Sequence, residues 1–204
     1  MFYTQTAISF SEPQGEIYDV QNGWMTQWDG VDYCFAPEIS EADRQAVVEK
    51  AAPILSAIRE RTGAAEEGWT LCLRSDDYAP RVRDHRLYLG LANVDSLDLP
   101  VGLAQMAFGV EVPYGLEYAL GLRTAQDLGL AAEEPEASLE RALELCAAQP
   151  AYLDLNYACF LAPYADEETL PLVGRIALSF YDFLEGTGKW TCLPSIPRKT
   201  IGPI

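Results

Sequence analysis

The sequence predicts an α+β protein with a largely antiparallel sheet and helices packed on that sheet. Tight-turn signals and alternating apolar residues between residues 16 and 35 predict the antiparallel strands. Apolar residues at helical spacing after Ser40 and near the C-terminus predict separate helices. At 204 residues the chain suits one globular domain, 1–204. A strand–helix–strand pattern that occurs twice indicates a possible internal duplication, about 1–100 and 101–204.

Composition excludes several classes of function. The chain has 31 acidic and 14 basic residues, a net charge of −17, which repels nucleic acid and anionic membranes and attracts basic partners. It lacks both an apolar run of about twenty residues and a basic segment followed by an apolar one at the N-terminus. Its five cysteines are widely spaced and form no CxxC pair. We therefore expect a reduced, cytoplasmic protein.

The N-terminal third predicts a sheet. Residues 2–10 alternate as a strand, and Asn22-Gly23 and Asp29-Gly30 are both preferred type I′ turns, which predicts a three-stranded meander over 16–35. Cross-strand pairing then forms an aromatic face, which we expect to pack on a helix. Its members are Ile17, Trp24, Trp28, Val31, Tyr33 and Phe35, and the opposite face holds Tyr18, Val20, Met25, Gln27, Asp32 and Cys34.

A long helix follows the meander. Ser40 is a suitable N-cap, and Gly63 a suitable C-terminal stop. Pro53 lies between them and predicts a kink or a division of the helix.

The remaining elements are predicted from shorter patterns. Strands are expected at 69–74, 85–91, 103–112 and 153–161, helices at 116–130, 136–148 and 166–184, and a loop at 75–84.

The suspected repeat relates Tyr33–Leu73 to Tyr157–Leu193. Both copies have a Cys-Phe strand end, an Ala-Pro step, an acidic helix start and a Trp-Thr strand. Cys34 then matches Cys159, and Cys72 matches Cys192. Paired placement in strands indicates buried thiols that act as small apolar side chains.

A group of basic side chains is a candidate anion site in this acidic chain. It comprises Arg74, Arg81, Arg83, His85 and Arg86. Such a group could grip a phosphate or a carboxylate. The alternative is that the arginines pair with Asp76, Asp77 and Asp84, while His85 is a core residue in register with Leu87.

Catalytic and metal-binding signatures are absent from the sequence. There is no G-x-S-x-G elbow, P-loop, G-x-G-x-x-G or EF-hand loop. With one histidine and no paired cysteines we expect no metal and no cofactor. These observations favour a protein that is not an enzyme.

Acidic residues dominate the segment from Asp127 to Glu168, where Arg141 is the single basic residue. This acidic segment is either a solvated face or a docking face for a basic protein. The predicted contact residues are Glu133, Glu134, Glu136, Glu140 and Glu144, with Tyr152 and Tyr164 as aromatic anchors.

The sequence therefore favours an acidic protein that neutralises or regulates a basic partner. In composition it resembles bacterial immunity proteins that block antibacterial toxins, which are small, acidic and without catalytic motifs. That resemblance implies a toxin-like partner, with no nucleic acid and no membrane involved. The alternative is an enzyme that acts on a small anionic ligand through residues 74–86.

Overall fold

The computed structural model describes residues 4–11, 17–64, 68–83, 85–108, 114–131, 144, 147 and 170–187. Contacts between Cα atoms divide the chain into two compact units. Unit 1 comprises Met1–Gly109 with Gly121–Ala132, and unit 2 comprises Val110–Leu120 with Glu133–Ile204. The strands are β1 (Thr4–Ser11), β2 (Ile17–Trp28), β3 (Val31–Phe35), β4 (Trp69–Arg74), β5 (Arg81–Arg83) and β6 (Arg86–Gly90). The helices are α1 (Glu41–Thr62), α2 (Asp98–Phe108), α3 (Tyr114–Asp127) and α4 (Leu170–Gly186), with a 3-10 turn at Leu91–Asp95.

The α+β class is confirmed, and the six described strands form one mixed sheet. Their order is β1-β2-β3-β4-β6-β5. Three ladders are antiparallel, whereas β3 with β4 and β4 with β6 are parallel. The parallel β3–β4 pair follows from α1, because a helical crossover returns the chain to the same end of the sheet before the next strand begins. The parallel β4–β6 pair follows from β5, which runs in the opposite direction between them in the chain.

One of the two predicted turns is correct. Asp29 and Gly30 have φ values of 51° and 73° and join β2 to β3, as a type I′ turn requires. The turn at Asn22-Gly23 is wrong, because β2 runs through it as one strand of 12 residues. Thr6 pairs with Gly23 and Ile8 with Val20, which leaves two β2 residues opposite one of β1. Asn22 therefore lies in a β-bulge.

The caps of α1 are those predicted. The Ser40 hydroxyl accepts a hydrogen bond from the backbone N–H of Asp43 (3.2 Å), and Gly63 ends the helix at φ 65°. The predicted division at Pro53 is wrong, since the helix continues across it for 22 residues. Proline removes one backbone hydrogen bond, and apolar residues buried on both sides of it hold the helix in place.

The core of unit 1 lies between the aromatic face of the sheet and the helices. Register pairing places Trp24 beside Phe35 and Trp28 beside Val31 on this face, as predicted. The parallel β4 adds Trp69 beside Val31 and Leu71 beside Tyr33. The buried residues of α1 are Arg44, Val47, Val48, Ala51, Ile54, Leu55, Ile58 and Arg59. They repeat at intervals of three and four, which is one stripe of a helix.

The strand predicted at 103–112 is wrong where the structure describes it, because Asp98–Phe108 is α2. Leu99, Val101, Leu103 and Met106 are all buried, so apolar residues surround most of this helix. A helix that is apolar on most sides leaves no polar face to reveal its period, and alternating residues then resemble a strand. Gly102 lies directly on the Leu87 side chain, which places α2 on the aromatic face.

The loop predicted at 75–84 contains the short strand β5, which pairs with β6. His85 joins the two strands at φ 60° and is exposed, so its prediction as a core residue is wrong. The positive φ of His85 takes this residue out of the extended strand, which removes it from the register of Leu87. Its Nδ1–H donates to the backbone carbonyl oxygen of Met106 (3.2 Å).

In unit 2 the structure describes the first half of α3, part of the predicted helix 136–148 and α4. Gly174 of α4 lies against the ring of Tyr118, and Ala177 and Tyr181 are buried. No helix among the described residues has the length and hydropathy needed to cross a membrane. The duplication stays a prediction, because most of its second copy, with the strand predicted at 153–161, lies outside the described residues.

Candidate functional site

The sheet face opposite α1 and α2 carries two rows of side chains, one residue from each of five strands. We call it the cysteine face. Its polar row runs Gln27, Asp32, Thr70, Arg86 and Arg83, and its sulfur row runs Met25, Cys34, Cys72, Tyr88 and Arg81. Register partners point to the same side of a sheet, so neighbours within each row are side by side.

The sulfur row is apolar and buried at its centre. Cys34, Cys72 and Tyr88 are 4%, 1% and 5% exposed, and Met25 and Tyr78 pack against them. The prediction that Cys34 and Cys72 are buried is therefore confirmed, and neither forms a disulfide.

The two thiols affect each other's ionisation. A hydrogen bond that the Cys72 thiol donates lowers the pKa of Cys34, and the positive charge of Arg86 acts in the same direction. Burial raises the pKa of Cys72, and the donated hydrogen bond adds to that increase. If one of the two thiols ionises, it is therefore Cys34, with the Cys72 proton shared between the sulfurs.

The polar row is accessible, and its arginines lie next to the buried cluster. Arg83 and Arg86 are register partners, and both are exposed. Arg86 donates a hydrogen bond to the Tyr88 hydroxyl, although burial of that ring raises its pKa overall. At the other end of the row, the Gln27 amide donates to the Asp32 carboxylate (3.0 Å).

The predicted anion-binding group is brought together only in part. Arg74 donates two hydrogen bonds to the carboxylate of Asp76 (2.8 and 2.6 Å), as the loop-pairing alternative predicted for this residue. These bonds lower the pKa of Asp76. Arg74 and Arg81 both lie over the Tyr78 ring, at 4.3 and 5.6 Å from its centroid. His85 instead contacts α2, on the opposite side of the sheet from the arginines.

Of the predicted partner-binding residues, the structure describes Glu144, which is helical and exposed. The other six lie outside the described residues: Glu133, Glu134, Glu136, Glu140, Tyr152 and Tyr164.

Two features of unit 1 were not predicted from the sequence. Buried Arg44 and Arg59 lie over the rings of Trp24 (4.2 Å) and Trp69 (5.0 Å). Both arginines lie on the buried stripe of α1, at the same spacing as its apolar residues. That spacing is the sequence feature from which their burial could have been predicted. The Cys34–Cys72 contact depends on a parallel ladder, which local sequence does not encode.

We also compared the chain with known proteins. Its sequence and structure match no protein-family model, no curated protein and no solved structure.

Proposed function

We propose that this protein binds a basic protein partner and neutralises or regulates it, in the manner of an immunity protein that blocks a toxin. The net charge of −17 on 204 residues carries this proposal. A surface with such an excess of carboxylates accelerates encounter with a positively charged protein and orients it during approach.

The way the fold uses its arginines supports the proposal. Arg44 and Arg59 are buried, Arg61 is paired with Asp127, and Arg74 is paired with Asp76. Four of the 11 arginines therefore lie inside the molecule or beside one carboxylate, away from the other carboxylates that a partner meets.

The exposed side of helix α1 carries an excess of acidic side chains. Its exposed side chains include Glu41, Asp43, Glu49 and Glu60, and no basic residue is among them. The acidic segment at 127–168 extends the same excess of negative charge. The proposed contact surface is this segment, because it combines carboxylates with Tyr152 and Tyr164. Aromatic anchors provide the short-range binding energy that charges at a rim do not.

Charge reversal tests the proposed surface. The partner is the basic protein whose toxicity in a host cell is suppressed by co-expression of this chain. Replacing Glu133, Glu134, Glu136 and Glu140 by lysine changes the net charge from −17 to −9, because each replacement adds two positive charges. The association rate, measured by stopped flow over a salt series, should fall by about tenfold or more at low salt and converge with wild type at high salt.

A matched control separates the local surface from the overall field. Replacing Glu38, Glu41, Glu49 and Glu60 by lysine changes the net charge by the same amount on exposed positions at and before α1. We expect this variant to slow association less than the first. Equal slowing would mean that only net charge matters, and no slowing in either variant would place the interface elsewhere.

The alternative function, binding of a small anion by an enzyme, is favoured by one observation. Arg83 and Arg86 are register partners on an exposed row, and two neighbouring guanidinium groups can bind a phosphate or a carboxylate. Inorganic phosphate should then raise the melting temperature, and this increase should disappear in Arg86→Gln. An unchanged melting temperature up to millimolar phosphate would exclude the site.

A further inference from the structure

The sulfur row places three sulfur-bearing side chains next to one another. Met25 is the register partner of Cys34 across the β2–β3 ladder, and Cys34 is the partner of Cys72 across the parallel β3–β4 ladder. The two thiols are hydrogen-bonded, and Met25 packs against their cluster. Two potential thiolates and one thioether thus share one face and one row.

The register places the two thiols on adjacent strands, where a metal ion could lie between them. Adjacent strands lie about 4.8 Å apart, so side chains on partner positions meet at a similar separation. A metal–thiolate bond is about 2.3 Å long, so an ion bound by two sulfurs on opposite sides spans about 4.6 Å. Small rotations about the cysteine χ1 angles can therefore admit an ion where the hydrogen bond now lies.

The donors select the kind of ion. Soft monovalent Cu(I) takes thiolate and thioether ligands, whereas hard cations require oxygen ligands and structural zinc requires four donors. Among the described residues, no three His, Cys, Asp or Glu side chains form a metal-binding group. The sulfur row therefore lacks the donors that zinc or calcium needs and has those of a two- or three-coordinate soft ion.

The charges around the thiols fit a negatively charged complex. Two thiolates around one Cu(I) carry a net charge of −1. Arg86 lies on the same face as the thiols as the register partner of Thr70, two residues before Cys72, and Asp32 is the partner of Thr70 on the other side. An exposed cation beside a buried dithiol lowers the cost of the charge that metal binding leaves there.

We propose that Cys34 and Cys72, with Met25 as a third and weaker ligand, form a binding site for one Cu(I) ion. Binding forms two copper–thiolate bonds and releases two thiol protons to solvent, with no change in the oxidation state of copper or sulfur. Arg86 is the positioning residue that balances the resulting charge. The proposal is independent of partner binding, because it uses neither the acidic segment nor the outer face of α1.

The experiment is an anaerobic competition between the full chain and a chromophoric Cu(I) chelator. Cys146, Cys159 and Cys192 are first replaced by alanine, so that Cys34 and Cys72 are the remaining thiols. We expect one equivalent of Cu(I) per chain. Either Cys34→Ser or Cys72→Ser should abolish this complex, and Met25→Leu should weaken it without abolishing it, because a thioether is lost while packing volume is kept.

A second pair of variants tests the site without altering the core. Arg86→Gln should lower Cu(I) affinity by about tenfold, as replacement of groups next to metal ligands commonly does. Arg83→Gln is the matched control, because it removes the same charge from the register partner of Arg86, one strand farther from the thiols. The Arg83 charge acts on Tyr88, and its loss should leave the Cu(I) affinity within about twofold of the parent. This pair is measured in the chain with all five cysteines as well, so that a folding defect in a cysteine variant does not decide the outcome.

The proposal is overturned if the parent chain takes no Cu(I) from the chelator, or if both serine variants retain the complex. It is also overturned if Arg86→Gln and Arg83→Gln have equal effects, because the charge next to the thiols would then have no specific part in binding.

Discussion

The close approach of α3 to α2 at Gly121 predicts the effect of adding a single methyl group. A Cβ atom added at Gly121 of α3 would lie 2.6 Å from the Cα of Val101, 2.7 Å from its nitrogen and 2.9 Å from the carbonyl carbon of Pro100. All three atoms belong to the backbone of α2, whose residues are buried at this point. They cannot rotate away, so the helices must separate to accommodate alanine.

Two opposing terms determine the effect of Gly121→Ala on stability. Replacing glycine by alanine inside a helix stabilises it by about 1 kcal/mol. Overpacking in a well-packed core destabilises by about 1–3 kcal/mol, and an obstacle made of backbone belongs at the upper end of that range. We therefore expect a net loss of about 2 kcal/mol in the free energy of unfolding.

Urea unfolding followed by tryptophan fluorescence measures this loss. Trp24, Trp28 and Trp69 lie in unit 1 with Gly121, so their signal reports the unit that is changed. The transition midpoint should fall while its slope stays constant, since a change in slope would indicate altered compactness instead.

Two other glycines provide graded controls. At Gly102 the nearest atoms are the Cδ atoms of Leu87, at 2.6 and 2.8 Å, and this side chain can change rotamer, so alanine there should cost less than at Gly121. At Gly186 nothing lies within 4 Å of an added Cβ, and alanine should leave the tryptophan transition unchanged. If Gly121→Ala is as stable as wild type, α3 does not approach the α2 backbone this closely.

Two further predictions concern charged groups. Arg59→Ala should destabilise the protein by about 2 kcal/mol, because it removes a buried guanidinium that donates to the Asp29 carbonyl oxygen (2.9 Å). Lys50→Ala removes the Lys50–Asp95 ion pair at the surface and should cost less than about 1 kcal/mol. Thermal or urea unfolding of both variants checks the difference, and equal losses would contradict the burial argument. The second prediction concerns pH. The hydrogen bonds from Arg74 lower the pKa of Asp76 below its ordinary 3.8. The stability that the ionised Asp76 contributes is therefore present above about pH 4 and is lost as the pH falls through the lowered pKa. Asp76→Asn should therefore lose a small amount of stability at pH 6 and none near pH 2, and an equal loss at both values would show that ionisation of Asp76 is not involved.

Local signals predicted much of unit 1 because their causes are local. The side chain of Ser40 caps a helix that starts beside it, and the Asp29-Gly30 turn sets the pairing of Trp24 with Phe35 directly. The aromatic face, including Trp24, Trp28, Val31, Tyr33 and Phe35, followed from that single turn and was confirmed.

The structural predictions that were wrong concern segments whose conformation is decided by residues distant in the sequence. Asn22-Gly23 has the composition of a turn, yet pairing with β1 keeps β2 extended there. The α2 segment is enclosed by α1, α3 and the sheet, so its apolar residues carry no information about which side faces water. Both outcomes show tertiary contacts prevailing over local preference.

The candidate site was less predictable than the fold. Clustering along the chain brought Arg83 and Arg86 together correctly, but adjacent residues of a hairpin turn face different sides, and this separates His85 from them. The Met25–Cys34 neighbours follow from the turn, whereas the Cys34–Cys72 contact requires the crossover through α1.

That crossover also constrains the order of folding. Hairpin partners such as Trp28 and Val31 meet across a two-residue turn, whereas Val31 and Trp69 are separated by the whole of α1, so bringing them together costs more chain entropy. A helix rises about 1.5 Å per residue where an extended chain rises about 3.3 Å, so formation of α1 brings the ends of the connection within reach. We therefore expect the centre of the sheet to assemble after the β2–β3 hairpin, and we expect the caps at Ser40 and Gly63 to influence the folding rate as well as the final stability.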